Sequence, residues 1–139
     1  MRKKLVEKIV AQGILDSNIK YAPLVTLEDF FEGNTDEGSI GCNLSTHPGA
    51  TTFYKVLLEI RSKPTVLDVL VEVTDLEEEE EFWPFSERVY ILTSARIEDI
   101  AEWTIQLEPT EIDIGYVFEK PPLAPILNEG YKVVAVWWD

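Results

Sequence analysis

Cysteine and histidine are almost missing from this sequence: Cys42 and His47 are the only residues of their kinds. A lone cysteine excludes an intrachain disulfide and fits a reducing compartment. One cysteine and one histidine cannot fill a usual zinc site unless carboxylates supply the remaining ligands. Long apolar runs are missing too. No stretch approaches the roughly 18 apolar residues of a membrane span. The basic opening Met1–Lys8 looks like the start of a secretory signal, but Ile9–Asp16 is too short and too polar for its apolar centre. The expectation is a cytoplasmic protein without membrane contact.

Positive charge is scarce and unevenly placed. Lys and Arg number 12 against 26 Asp and Glu, a net charge of -14. Residues 1–20 hold five Lys/Arg and two acids, a net of +3. The remainder holds seven Lys/Arg and 24 acids, a net of -17. Such a surface repels nucleic acid and anionic membranes and attracts basic surfaces. Acidity also keeps a protein soluble without further function.

Motifs for bound groups fail on inspection. Glu32, Asn34 and Asp36 match the first three oxygen ligands of a calcium loop. The glycine needed at the sixth position is Glu37, however, and the acid needed at the twelfth is Asn43. Gly33, Gly38 and Gly41 precede no Gly-Lys-Ser/Thr, and their acidic surroundings oppose a phosphate. No metal and no cofactor are expected.

What is present is ample core material: 45% hydrophobic residues, with Trp 4, Tyr 5 and Phe 6. A chain of 139 residues suits one domain over 1–139 and buries about two-thirds of its unfolded surface. Leu5, Val6, Ile9 and Val10 predict a helix over 2–12 closed by Gly13. Thr26 caps a short helix through Phe31, with Glu28 and Asp29 in its first turn. Residues 39–44 read as extended. Pro48 suits a first helical position, with His47 as the cap and Phe53, Val56, Leu57 and Ile60 as the apolar face to about Ser62. Residues 65–74 alternate as a strand, with Leu67, Val69, Val71 and Val73 on the buried side and Asp68, Leu70 and Glu72 half exposed. Residues 88–93 form its hairpin partner. Ser94 caps a helix over 95–107. Ile112, Ile114, Tyr116 and Phe118 mark a further strand. Residues 131–138, apolar almost throughout, read as a central strand. The fold class expected is α+β: a mixed or mainly antiparallel sheet of about four or five strands with about three to four helices.

Two constellations could carry function. The run Glu77, Glu78, Glu79, Glu80 and Glu81, with Glu72 and Asp75, puts seven acids in ten residues. It reads as a solvated loop or as a steering surface for a basic protein partner. Trp83 and Phe85 would then be its apolar anchors, although at least two of Phe82, Trp83 and Phe85 are expected in the core. The second constellation is Cys42 with His47, a nucleophile and base for a small-molecule enzyme using nearby carboxylates. Against it, a lone cysteine behaves most often as a small core residue. A third reading is a structural homo-oligomer that pairs through the terminal strand, should that strand lie at an edge.

Ser39-Ile40-Gly41-Cys42-Asn43-Leu44, Trp83-Pro84-Phe85-Ser86 leading into Val89-Tyr90-Ile91-Leu92-Thr93, and the closing Val136-Trp137-Trp138-Asp139 resemble a group of small acidic bacterial proteins of unknown function. The likeness spans most of the chain after residue 24. In size and charge such proteins are similar to immunity proteins that neutralise bacterial toxins, an analogy of composition that assigns no residue a role. It implies a binding module in the manner of an immunity protein or antitoxin.

Overall fold

The computed structural model describes residues 2–12, 22–76, 82–117, 121 and 124–139. Helix α1 (Arg2–Ala11) precedes strand β1 (Leu24–Thr26) and helix α2 (Leu27–Phe31). Helix α3 (Ala50–Arg61) leads into β2 (Val66–Glu72) and β3 (Arg88–Thr93). Helix α4 (Ile97–Trp103), β4 (Glu111–Ile114) and β5 (Lys132–Trp137) complete the chain. The five strands form one sheet in the order β1-β2-β3-β5-β4, and every neighbouring pair is antiparallel. The fold is α+β, as the alternation of strand and helix patterns predicts. Among the described residues no helix is long and apolar enough to cross a membrane.

Alternation along the strands sorts side chains onto two faces. Val69, Val71, Val89, Ile91, Val134 and Val136 face the helices. They pack with Phe53, Leu57 and Ile60 of α3, Phe30 of α2, Ile9 of α1 and Ile100 of α4. Each such fully buried side chain stabilises the fold by about 1.5–3 kcal/mol, several times the worth of an exposed ion pair. Trp138 is 2% exposed; its Nε1 donates to the Leu107 carbonyl at 2.7 Å, and its ring meets Phe53 edge to face at 5.3 Å. The C-terminal strand therefore locks α3 and the turn after α4 to the sheet.

The other face is also covered. Leu24, Leu70, Tyr90, Leu92, Val133 and Ala135 form a second apolar cluster beneath Tyr116, Ala124 and Leu127. The cover comes from the connection between β4 and β5, not from a helix. Leu70 and Glu72, expected half exposed, are consequently buried. Leu67, expected in the core, is 42% exposed, because the β2–β3 register shifts between Val66 and Asp68.

Several boundaries move for identifiable reasons. Gly49, not His47, precedes α3; at φ 97° it adopts a backbone that glycine tolerates readily. Helix α4 starts after Arg96, not Ser94: the Thr93 hydroxyl accepts from the Ala95 amide, and Asp99 accepts from the Arg96 amide at 3.1 Å. It gives way at Thr104, whose hydroxyl donates back to the Ile100 carbonyl at 2.8 Å. Strand β4 stops at Ile114, and Tyr116 turns onto Tyr90 instead of extending the strand. The segment 39–44 touches the sheet only through an isolated parallel bridge between Ile40 and Ser86. Gly13, the expected stop of α1, lies outside the described residues. Strand β5 is paired on both sides, so the terminal strand offers no edge for pairing between copies.

The outer edge of the sheet at β1 is closed by one side chain. The Gln12 amide donates to the Leu24 carbonyl at 2.8 Å and its Oε1 accepts from the Leu24 amide at 3.0 Å. This carboxamide takes the place of a neighbouring strand.

Gly41 is the tightest backbone position. Its φ is +64°, and a Cβ there would lie 2.8 Å from Phe53 Cζ. Gly41→Ala should lower stability by about 1–3 kcal/mol, read as a fall in the urea midpoint at unchanged slope. An unchanged midpoint would show that Phe53 gives way freely.

Candidate functional site

Glu77, Glu78, Glu79, Glu80 and Glu81 lie outside the described residues; the residues on either side of them, up to Leu76 and from Phe82, are described. Asp75 is exposed and forms an isolated antiparallel bridge with Phe85, whose amide donates to the Asp75 carbonyl at 2.8 Å. This bridge joins residues on either side of the acidic run in sequence. On the far side, the Phe82 carbonyl accepts from Arg2 Nε at 2.8 Å. The basic start of α1 is thus tied to one end of the most acidic part of the chain.

The aromatic residues of this segment divide. Trp83 is 8% exposed and belongs to the helix-side core. Its amide donates to Asp36 Oδ2 at 3.1 Å. Phe85 is half-buried, and Phe82 is exposed. Trp83 therefore offers almost no surface as an anchor, and Phe82 offers more.

The failed calcium loop has a structural use. Asn34 donates to the Ser39 hydroxyl at 2.9 Å and accepts from the Asp36 amide at 2.9 Å. Asp36 Oδ1 accepts from the Gly38 amide at 3.0 Å. Both side chains build turns. Among the described residues no three His, Cys, Asp or Glu are grouped to hold a metal ion.

Cys42 and His47 separate in role. Cys42 is exposed, contrary to its expected place in the core, because it lies in the turn after Gly41 and not in a strand. His47 has both ring nitrogens engaged by backbone. Nδ1 accepts from the Gly49 amide at 2.9 Å, which leaves Nε2 as the protonated nitrogen, donating to the Ile40 carbonyl at 2.7 Å. A ring held this way fastens the start of α3 to the segment at Ile40. Neither nitrogen is open to take a proton from a thiol.

A polar cluster sits on the helix-free face, and sequence patterning does not single it out. Glu72 is 1% exposed. Its Oε1 accepts from Arg88 Nη1 at 3.0 Å and its Oε2 from the Tyr90 hydroxyl at 2.5 Å. Glu72 and Arg88 are direct cross-strand partners, and Arg88 pairs in register with Trp137. Burial pushes the Glu72 carboxyl above its ordinary value, while the Tyr90 hydroxyl and Arg88 pull it down. Burial and the neighbouring Glu72 raise the Tyr90 phenol. Three buried atoms here have no hydrogen-bond partner: Arg88 Nε, the Tyr116 hydroxyl and Trp137 Nε1. The sequence signal is faint: an acid near the end of one apolar strand faces a base at the start of the next.

Several cations elsewhere are engaged within the molecule. Arg61 grips both Glu28 oxygens, which holds the Glu28 carboxyl below its ordinary range. Arg96 pairs with Asp99, and Lys8 with Asp29 at 2.7 Å. Lys132 donates to the Ala95 carbonyl, and Lys63 sits 4.8 Å from the centre of the Trp103 ring. Many acids have no such partner and stand exposed, among them Glu37, Glu59, Glu98, Glu102, Glu108 and Glu129.

Glu72→Ala should cost about 3–5 kcal/mol, because it strands the Arg88 charge and the Tyr90 hydroxyl. Glu72→Leu combined with Arg88→Met should cost less than Glu72→Ala alone, measured by urea denaturation. A double variant less stable than Glu72→Ala would mean that the ion pair stabilises the fold beyond mutual neutralisation.

Among known proteins, the family described as "Uncharacterized protein YfbO family" matches residues 1–136. A relative from Escherichia coli (strain K12), described as "Uncharacterized protein YfbO", is 35% identical over 138 residues, covering 99% of this chain and 97% of its own length. No solved structure matches the chain. A match over nearly the whole length on both sides places the chain in the YfbO family.

Proposed function

We propose that this protein is a binding module that meets a basic protein partner through its acidic surface. It occludes that partner in the manner of an immunity protein or antitoxin. The observation that carries the reading is the use of the cations. Arg61, Arg88 and Arg96 are each held by an acid, and Lys132 by a backbone carbonyl. The field that a partner meets is set by the excess of exposed carboxylates over the exposed lysines such as Lys3, Lys4 and Lys55. Charge of one sign over a broad surface raises the rate of encounter with an oppositely charged surface. Glu77 to Glu81 are the densest run of acids in the sequence, and Phe82, next in the chain and exposed, supplies apolar contact.

The enzyme reading gains no support from Cys42 and His47, since His47 is committed to backbone on both sides.

The test begins with capture of a basic partner at low ionic strength and continues with association kinetics of the purified pair. Changing Glu77 through Glu81 to Gln should slow association at least tenfold at low salt and flatten its salt dependence, with the far-ultraviolet dichroism unchanged. Equal rates and an equal salt slope would overturn the site. Failure to recover any basic partner would overturn the function.

A further inference from the structure

We propose that the space between the end of α1 and strand β1 binds an uncharged, largely apolar small molecule carrying one carbonyl or hydroxyl group. A cavity of about 590 Å³ lies there, and its walls include Ala11 of α1, Leu24 of β1 and Leu70 of β2. That volume lies within the usual range of small-molecule sites, roughly 300–1,000 Å³, which combine apolar walls with a few placed polar groups. Ala11 and Thr26 are solvent-exposed, so the cavity opens outward. Leu24 and Leu70 belong to the second apolar cluster, so an apolar ligand would extend that cluster beyond the sheet edge.

Charge decides the class of ligand. Lys8 and Asp29 both line the cavity, and Lys8 Nζ donates to the two Asp29 oxygens at 2.8 and 2.7 Å. The pair has no net charge to offer. An anion would meet the Asp29 carboxylate within a protein of net charge -14, and a cation would meet the Lys8 ammonium. An uncharged molecule avoids both penalties. A single polar group on it also finds partners. Thr26 Oγ1 accepts from the Asp29 amide at 3.1 Å and keeps its own hydroxyl proton to donate. Lys8 has a third N–H beyond the two given to Asp29. A ligand carbonyl accepts from either group, and a ligand hydroxyl can in addition donate to Asp29. The Gln12 amide also lines the cavity, but both of its ends are bonded to Leu24, so it acts as wall. The proposal does not rest on the partner reading.

The probe is prodan, an uncharged naphthalene ketone whose emission shifts to the blue in apolar surroundings. It should bind the full chain saturably with a stoichiometry of about one. The anionic dye 1-anilinonaphthalene-8-sulfonate should bind at least tenfold more weakly. Ala11→Trp, at an exposed helix end, should weaken prodan at least tenfold while dichroism stays unchanged. In the unaltered protein, prodan should shift the amide resonances of Ala11, Thr26 and Leu70 most strongly, which decides the matter even if Ala11→Trp fails to fold. Absence of saturable prodan binding, equal affinity for the anionic dye, unchanged affinity in folded Ala11→Trp, or shifts confined to other parts of the chain would each overturn the proposal.

Discussion

Burial of the sheet on both faces is the constraint from which the other features follow. The helices cover one face through Phe30, Phe53, Leu57 and Ile60, and the connection between β4 and β5 covers the other through Tyr116, Ala124 and Leu127. Strands β2, β3 and β5 therefore lie in a medium that tolerates little unpaired charge. Glu72 enters that medium only because Arg88 stands opposite it and Tyr90 donates a second hydrogen bond. The pair is a condition of burial more than a source of stability. Desolvating two charges costs several kcal/mol per ion, and the attraction between them mainly offsets it.

The same logic shapes the exterior. Arg61, Arg88 and Arg96 pair with acids and Lys132 with a backbone carbonyl, and the chain as a whole keeps a net charge of -14, so exposed acids outnumber exposed bases. The start of α1 is tied to Phe82, the residue that follows the acidic run in sequence, through Arg2 and the Phe82 carbonyl. At the sheet edge, charge is cancelled locally by Lys8 and Asp29 beside an apolar space.

How much of this was legible in the sequence depended on whether the deciding contact is local. The spacing of Phe53, Val56, Leu57 and Ile60 identified the buried face of α3, because helical period and burial are local facts. The β2–β3 pairing and the inner position of β5 were readable from alternation and from a continuous apolar run. Burial of Leu70 and Glu72 was not readable, since it depends on a connection more than 40 residues further along. The start of α3 was misplaced because a proline two residues upstream gives a stronger local signal than the positive φ of Gly49. Of the candidate site, the acidic run was evident and its position between Asp75 and Phe82 follows from chain order. That Trp83 turns inward while Phe82 stays exposed required the contacts of Asp36 and the helix-side core. Cys42 looked like a core residue and is exposed, because only the conformation at Gly41 reveals a turn there.

A carbon-detected titration of the glutamate side-chain carboxyls tests the two-sided burial most directly. In the folded protein Glu72 should titrate above 4.5, the ordinary value, and Glu28 below it. For Glu72 the stabilising contribution is complete at acid pH and is lost as pH rises from the ordinary value through the folded one. For Glu28 the sign is reversed: the contribution is present above the ordinary value and lost as pH falls through the folded one, and it is small because the pair is partly exposed. A Glu72 carboxyl that titrates at or below the ordinary value would contradict the account, because burial of that side chain would then not outweigh its contacts with Arg88 and Tyr90.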